Sequence, residues 1–304
     1  MAIRRTVILV AAWLGVVIVV LIAFVGIMWA NQERVVFQPP GDIVTDTPAK
    51  VGYAAEDGQP LLGYVVGDRS RAQYVLVAFH GNAELAVHSV SWAEEIAQRT
   101  GWLVLLAEYR GYAGLTGRPT YEASRLDARA AYSFARDTLG FPRERIGLRG
   151  FSLGSAVATE LASDVDPAVL ILEAPLTSAR DMARIIIARP LHLVWDRISR
   201  VHFDTERRVA ELDTPVWVAH GEDDFTIPTR MGRAVFAAAK VKGELLLVPD
   251  ATHNEIAYRG GARYWRWLEQ ALASGALRSV RRDSQVPPKP SVNPTLTTRP
   301  GAGS

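Results

Sequence analysis

Gly150-Phe151-Ser152-Leu153-Gly154 sets a serine between two glycines at the junction of two unlike stretches. Ahead of it, Arg145-Ile146-Gly147-Leu148-Arg149 is short and partly apolar, long enough for a buried strand and too short for a helix. Behind it, Ser155 to Ala162 is rich in helix formers. Strand, sharp turn and helix is the setting in which a G-x-S-x-G serine projects an exposed hydroxyl from a strained turn. Glycine suits both flanks because a Cβ would crowd so tight a turn. The chemistry on offer is attack on a carbonyl, with the Leu153 amide, first in the helix, facing the developing oxyanion. Taken alone, the pentapeptide fits an inert Gly-Ser-rich turn equally well.

A serine hydroxyl is a poor nucleophile until an imidazole takes its proton and a carboxylate orients that imidazole. After such a serine the chain order should be acid, then histidine. The acid is expected past a late strand. Pro215 to Ala219 reads as that strand, and Glu222, Asp223 and Asp224 follow it. Three adjacent carboxylates fit a triad acid, a cation site or a solvated loop. A metal site wants further ligands at set spacing, and neither H-E-x-x-H nor an Asp-rich calcium loop is present. Spacing to Ile227-Pro228, where the next helix starts, favours Asp224, with Asp223 as the fallback. The last strand, Leu245 to Val248, leads to Ala251-Thr252-His253-Asn254, so His253 falls on a loop at a strand end. His88, His192 and His202 fall in helical or lid segments and read as structural or exposed. A second oxyanion donor belongs after Phe79-His80-Gly81. Gly81 permits close backbone approach, the Asn82 amide would pair with that of Leu153, and Ala83 is the alternative donor. His80 reads as a prop for this loop.

Together these segments resemble the α/β-hydrolase superfamily. They are most similar to its membrane-anchored serine hydrolases, a subgroup that includes serine-aminopeptidase-like proteins and protein depalmitoylases. The resemblance rests on Phe79-His80-Gly81-Asn82-Ala83, Tyr109-Arg110-Gly111-Tyr112, Gly150 to Gly154, His220-Gly221-x-x-Asp224 and Asp250-Ala251-Thr252-His253-Asn254, spanning residues 79 to 254. It implies Ser152, Asp224 and His253 as a catalytic triad, and Asn82 and Leu153 as oxyanion donors. It implies no cofactor and no metal. This sequence departs from the pattern twice: Glu84 stands where a glycine usually follows His-Gly-Asn-Ala, and Ala251 where a glycine commonly precedes Thr-His-Asn. The first bears on the shape of the entrance loop, hence on substrate. Tyr109 and Arg110 are expected to shape the rim beside Ser152.

Elements must bring these residues together. Lys50 to Ala55 and Leu61 to Val66 flank an Asp-Gly turn, a hairpin signal. Tyr74–Phe79, Trp102–Ala107, Arg145–Leu148, Val169–Leu172, Val216–Ala219 and Glu244–Val248 are short apolar runs suited to strands buried on both faces. Helical stretches alternate with them at Glu84–Arg99, Tyr121–Leu139, Leu153–Ser163, Thr229–Ala239 and Gly261–Ala273. The alternation predicts an α/β fold: a mostly parallel, doubly wound sheet with helices on both faces. Residues 176–212 hold no strand candidate, and their length exceeds an ordinary crossover. They read as a helical lid whose Ile185, Ile186, Ile187, Leu191, Leu193 and Trp195 would meet acyl chains, the bilayer or the domain itself. The hydrolase domain is expected over 50–276, after a linker at 31–49. Residues 277–304, basic and rich in Pro, Ser, Thr and Gly, are expected to be disordered.

Thr6 to Ala30 carries no charge. At about 1.5 Å per residue it can cross a hydrocarbon core of roughly 30 Å. A cleaved signal peptide would have an apolar region of only about 7–15 residues, and Met28 stands where its exit would want a small residue. An uncleaved anchor over 6–30 is therefore expected. Arg4 and Arg5 place residues 1–5 in the cytoplasm and the domain outside.

In composition the chain is 49% hydrophobic and 22% charged, with net charge +2, which gives no support to nucleic-acid binding. The absence of cysteine excludes disulfides and thiol catalysis. Gly111, Gly114 and Gly117 lack the G-x-G opening of a dinucleotide loop, so no nucleotide is expected. The expected function is membrane-tethered hydrolysis of an ester, thioester or small amide in a small-molecule or acylated substrate. A peptidase of the same fold, with Glu84 or Glu173 to clamp a peptide end, and a non-catalytic binding protein are the alternatives.

Overall fold

In the computed structural model, residues 2–41, 47, 49–187 and 191–285 are described. A single helix, α1 (Ala2–Val36), opens the chain. An eight-stranded sheet follows, made of β1 (Lys50–Ala54), β2 (Pro60–Val66), β3 (Val75–Phe79), β4 (Leu103–Ala107), β5 (Ile146–Phe151), β6 (Leu170–Glu173), β7 (Val216–Gly221) and β8 (Lys242–Val248). Their order is β1-β2-β4-β3-β5-β6-β7-β8. β2 runs antiparallel to β1 and β4, and the other pairs are parallel. Every residue of β3, β4, β5, β6 and β7 is buried, as their unbroken apolar runs require of strands covered on both faces.

Register positions the site. Phe79 lies opposite Gly150, so the chain leaves β3 and β5 side by side. Gly221 lies opposite Val248, so the loops after β7 and β8 are neighbours too. Parallel pairing therefore gathers four sequence-distant loops at one edge of the sheet.

The covering helices are α2 (Val90–Thr100), α3 (Tyr121–Ser133), α4 (Leu153–Val165), α8 (Thr229–Ala238) and α9 (Ile256–Gln285). α3 ends at Ser133, short of the expected Leu139, and two helices start elsewhere than expected. The stretch from Glu84 begins with a 3-10 turn, Ala86–Ser89, before α2. α9 starts earlier than expected, bends at Gly261 (φ 46°) and continues through Gln285. The expected disorder from residue 277 is thus corrected as far as 285, while 286–304 lie outside the described residues. The physical reason is Arg278, whose guanidinium donates to Asp166 (2.8 Å) and to the Asp213 carbonyl (3.0 Å), fixing the helix to the turn after α4.

Among the described residues of 176–212 are three short helices, α5 (Ala179–Ile186), α6 (Leu191–Ile198) and α7 (Thr205–Val209). Ser178 caps α5 by accepting from the Asp181 amide, and Asp204 caps α7 by accepting from the Arg207 amide. Ser178 and Asp204 also pair in an isolated bridge that closes the base of this lid.

α1 is long and apolar enough to cross a membrane over Ile3–Val36, and none of its most apolar window is buried. Its end is docked on the lid. Gln32 is fully buried and accepts from the Arg200 amide (2.7 Å). Arg200 also approaches Glu33 (3.7 Å) and lies over the Trp29 ring (4.6 Å). The expected linker is thus helical through Val36, and residues 42–46 and 48 within it lie outside the described residues.

Candidate active site

Ser152 occupies the turn between β5 and α4 with φ 54° and ψ −120°, a conformation L-residues rarely adopt. Its surroundings impose it. The Ser152 amide donates to the Glu173 carbonyl (2.9 Å), and its own carbonyl accepts from the Ser155 amide and hydroxyl. A Cβ on Gly150 would strike the Gly154 backbone, and one on Gly154 would strike the carbonyls of Phe79 and His80. The strand ends therefore approach too closely for any side chain but glycine's at either flank.

His253 Nε2 lies 2.9 Å from Ser152 Oγ, and His253 Nδ1 lies 2.7 Å from Asp224 Oδ2. Nδ1–H donates to the carboxylate, which leaves Nε2 free to accept from the hydroxyl. The imidazole also packs on the Phe151 ring, centroids 5.1 Å apart. Asp224 Oδ1 accepts from the amides of Thr226 and Ile227 (2.8 Å each). Burial alone would raise the Asp224 pKa, but hydrogen bonds from His220 and His253 outweigh it and hold the carboxyl well below the usual range. Asp223 is exposed, and its amide donates to the Ala251 carbonyl. Of the two candidate acids, Asp224 is the one in contact with His253.

Ala251 is fully buried and does not carry the positive φ, which falls on Asp250 (55°). The methyl in place of a glycine is accommodated for that reason. Glu84, the other departure, reaches back to accept from the Gly81 amide (2.9 Å), bracing the loop that holds Asn82.

Asn82 and Leu153 both line the cavity that contains Ser152, and among the described residues neither backbone amide donates to a protein acceptor. The Ala83 amide is instead turned onto Asn82 Oδ1 (3.1 Å). That same oxygen accepts from Tyr112 Oη (2.9 Å) and from the Gln38 amide (2.8 Å). The loop after β3 is thus held directly by the segment leaving α1.

Below the site lies a set of buried charges. His80 Nε2 meets Glu108 Oε1 at 2.7 Å and Nδ1 meets the Gly81 carbonyl at 2.7 Å. A carbonyl and a carboxylate facing the two ring nitrogens favour the doubly protonated imidazole. Burial opposes that charge, yet Glu108 prevails and the His80 pKa is raised. Arg149 pairs with Glu173 (2.7 Å), Tyr264 Oη donates to Glu173 (3.0 Å), and Trp92 Nε1 donates to Tyr264 Oη (2.8 Å).

Arg110, expected at the rim, is elsewhere. It joins Asp127 and Asp57, tying α3 to the hairpin turn, because two carboxylates there outcompete the solvent-facing rim for its fork of donors. Tyr109 Oη likewise props the His80 carbonyl (3.1 Å).

The sequence reading included His220 and Tyr112 in its motifs without giving either a role, and it missed Glu108 and Gln38. His220 Nε2 sits 2.8 Å from the Ile227 carbonyl and 3.2 Å from Asp224 Oδ2, steadying the acid. A carboxylate directly after the apolar run Leu103–Ala107 was a readable signal for Glu108, since buried charges need partners. Nothing local marks Gln38.

The cavity over Ser152 measures about 240 Å³. Val35 and Val36 of α1, Met182, Ala183 and Ile186 of α5, Trp195 of α6 and Phe203 wall it. A polar reaction centre under an apolar roof suits transfer of an acyl group from an uncharged carbonyl compound. Among the described residues no cluster of carboxylates, imidazoles or thiols is grouped to hold a metal ion.

No protein-family model matches the chain. An uncharacterized protein of Mycobacterium tuberculosis is 30% identical over 269 residues, covering 79% of this chain and 87% of that one. The human alpha/beta hydrolase domain-containing protein 17B is 27% identical over 202 residues, 66% of this chain and 67% of its own. Among solved structures, an esterase of Pyrococcus furiosus superimposes with a TM-score of 0.60 at 20% identity, covering 78% of this chain and 98% of its own. An acetyl xylan esterase from Paenibacillus superimposes with a TM-score of 0.56 at 19% identity, over 80% of this chain and 93% of its own.

Proposed function

The chain belongs to the α/β-hydrolase superfamily, and from that premise we propose that it is a membrane-anchored serine hydrolase acting on carboxylic esters or thioesters. One observation carries the reading: the unbroken line from Ser152 Oγ through the His253 ring to Asp224, at 2.9 and 2.7 Å. Ser152 Oγ attacks the carbonyl carbon while His253 Nε2 takes its proton. The Asn82 and Leu153 amides hold the oxyanion, and Asp224 stabilises the imidazolium without taking the proton. When the tetrahedral intermediate collapses, His253 returns the proton to the leaving alkoxide or thiolate. Water then attacks the acyl-Ser152 ester with the same imidazole as base, releasing the acid and restoring the serine.

α1 is the anchor in this reading. With Arg4 and Arg5 ahead of its uncharged stretch, residues 6–30, and the offsetting pair Glu33 and Arg34 behind that stretch, the hydrolase domain faces the extracytoplasmic side.

A peptidase would need a free charge to clamp a peptide end. Glu84 is engaged by the Gly81 amide, and Glu173 is buried against Arg149. That favours the ester over the peptide. Hydrolysis of p-nitrophenyl esters of increasing chain length, set beside aminoacyl anilides, tests the reading. Esters should turn over and anilides should not, and Ser152→Ala should lose the activity. Turnover of esters by Ser152→Ala at the wild-type rate would refute it.

A further inference from the structure

The roof of the cavity is made partly of the membrane anchor, and it leads somewhere. A second apolar space lies between α1 and α6, where Phe24 and Met28 face Val194 and Ile198. It shares Ile187 and Trp195 with the cavity over Ser152. Adjoining at these two residues, they make an apolar seam between the anchor and the lid, with Ser152 in its inner part. Among the described residues, no ionisable side chain lines either part.

Depth identifies what surrounds that end. With the hydrocarbon boundary set at Ala30, the end of the expected anchor, Phe24 lies six residues further in, about 9 Å at about 1.5 Å per residue. The face of α6 that meets it must sit at a similar depth. Leu193 and Val194 of α6, and Ile185 and Ile186 of α5, are exposed, which lipid tolerates and water does not favour. The polar clamp of Gln32, Glu33 and Arg200 lies at the foot of the seam, outside the hydrocarbon.

At about 20 Å³ the outer part is nearly shut. In water, prising apart two apolar helices would expose their surfaces at a cost. In a bilayer, lipid tails replace each lost contact, and no hydrophobic force holds such helices together. The seam is therefore free to part where an acyl chain is available to fill it.

We propose that the seam between the membrane helix and the lid admits the acyl chain of a bilayer lipid ester sideways, bringing its carbonyl to Ser152 while the chain stays in an apolar path. This deepens, and rests on, the serine hydrolase reading by naming the substrate class.

The test uses the full chain in phosphatidylcholine vesicles and two fluorophosphonates, one ethyl and one hexadecyl. In both, Ser152 Oγ bonds to phosphorus and fluoride leaves, so mass spectrometry of the Ser152 peptide gives both rates. Val194→Arg puts a charge in the outer seam, and Met28→Trp fills it. Each should lower the ratio of hexadecyl to ethyl labelling about tenfold, the effect of displacing two or so methylenes. A diazirine at the end of the hexadecyl chain should cross-link to peptides holding residues 24–28 or 191–198. An unchanged ratio in both variants, cross-links confined to other segments, or wild-type protein labelled by the ethyl probe alone would each overturn the seam while leaving the nucleophile in place. Failure of both probes at Ser152 would instead remove the hydrolase reading itself.

Discussion

The floor and the roof of the site are built on opposite terms. The floor is polar and crowded with hydrogen bonds: Asp224 accepts two amides and contacts two imidazoles, and His80 and Arg149 each have a buried carboxylate. Little can move there without stranding a charge in a medium that penalises it. The roof, drawn from α1 and the lid, meets the cavity with apolar side chains that make no hydrogen bond there. The difference teaches where each property of the site resides. Position of the reacting atoms is fixed by the sheet edge, while choice of acyl group is left to helices that can shift or be replaced.

The sharpest way to break this contrast is in the floor. His253→Ala should lower kcat/KM by roughly 10⁴-fold or more, and Asp224→Asn by a comparable roughly 10⁴-fold, through loss of the correct tautomer. Both variants should keep wild-type circular dichroism. Retention of a tenth of the wild-type ester hydrolysis by either would remove the distinction between floor and roof.

Next in size is a loss of stability. Glu173→Gln leaves the Arg149 guanidinium buried without its counter-charge, a change that costs about 3–5 kcal/mol in comparable pairs. Urea unfolding of the single variant should show that loss, and Arg149→Met combined with Glu173→Leu should recover most of it. A double variant as unstable as the single one would mean that shape, not charge, holds the floor.

The junction of the two regions is Gln38, whose amide reaches Asn82 Oδ1. Gln38→Pro removes that donor just before Pro39 and Pro40, where proline geometry is already imposed. Loss of one hydrogen bond of about 1 kcal/mol predicts kcat about fivefold lower with KM little changed. An unchanged kcat would show that the anchor and the loop after β3 are independent.

The roof itself should give the gentlest effects. Met182→Ala and Ile186→Ala should shift the preferred ester toward longer chains, by about fourfold in relative kcat/KM per methylene added to the substrate. The urea midpoint should hardly move, because Ile186 is exposed and Met182 only partly buried. A flat chain-length profile in wild type and variants alike would detach the roof from specificity.

Acid provides a check on the floor's electrostatics. Because the Asp224 carboxyl is held below its ordinary value, its contribution to stability is present above about pH 3.9 and lost only as pH falls through the lower native value. Asp224→Asn should therefore lose stability less steeply than wild type below pH 4. Parallel curves would contradict the assigned network.

Much of the floor was legible in the sequence because each of its parts is local. A tight turn demands glycine on both sides of Ser152, and an acid or base at a strand end follows an apolar run of countable length. Those rules place Ser152, Asp224 and His253 on loops, and parallel pairing brings the loops to one edge. Arg110 misled because its position beside a motif says nothing of Asp57 and Asp127, which come from far along the chain. The roof was less legible for the same reason. The apolar character of Ile186 and Trp195 is plain, but that Val35 and Gln38 belong to the site depends on how α1 docks on Arg200, which no local pattern encodes. Arg278 reads as part of a basic tail until Asp166 and the Asp213 carbonyl are seen beside it.

Every proposed step depends on the nucleophile. The full chain should be treated with a fluorophosphonate, digested, and every modified peptide mapped. A single adduct on Ser152, absent from Ser152→Ala and much slower to form in His253→Ala, is the expected result. An adduct on another residue, or labelling of Ser152→Ala equal to that of wild type, would contradict it.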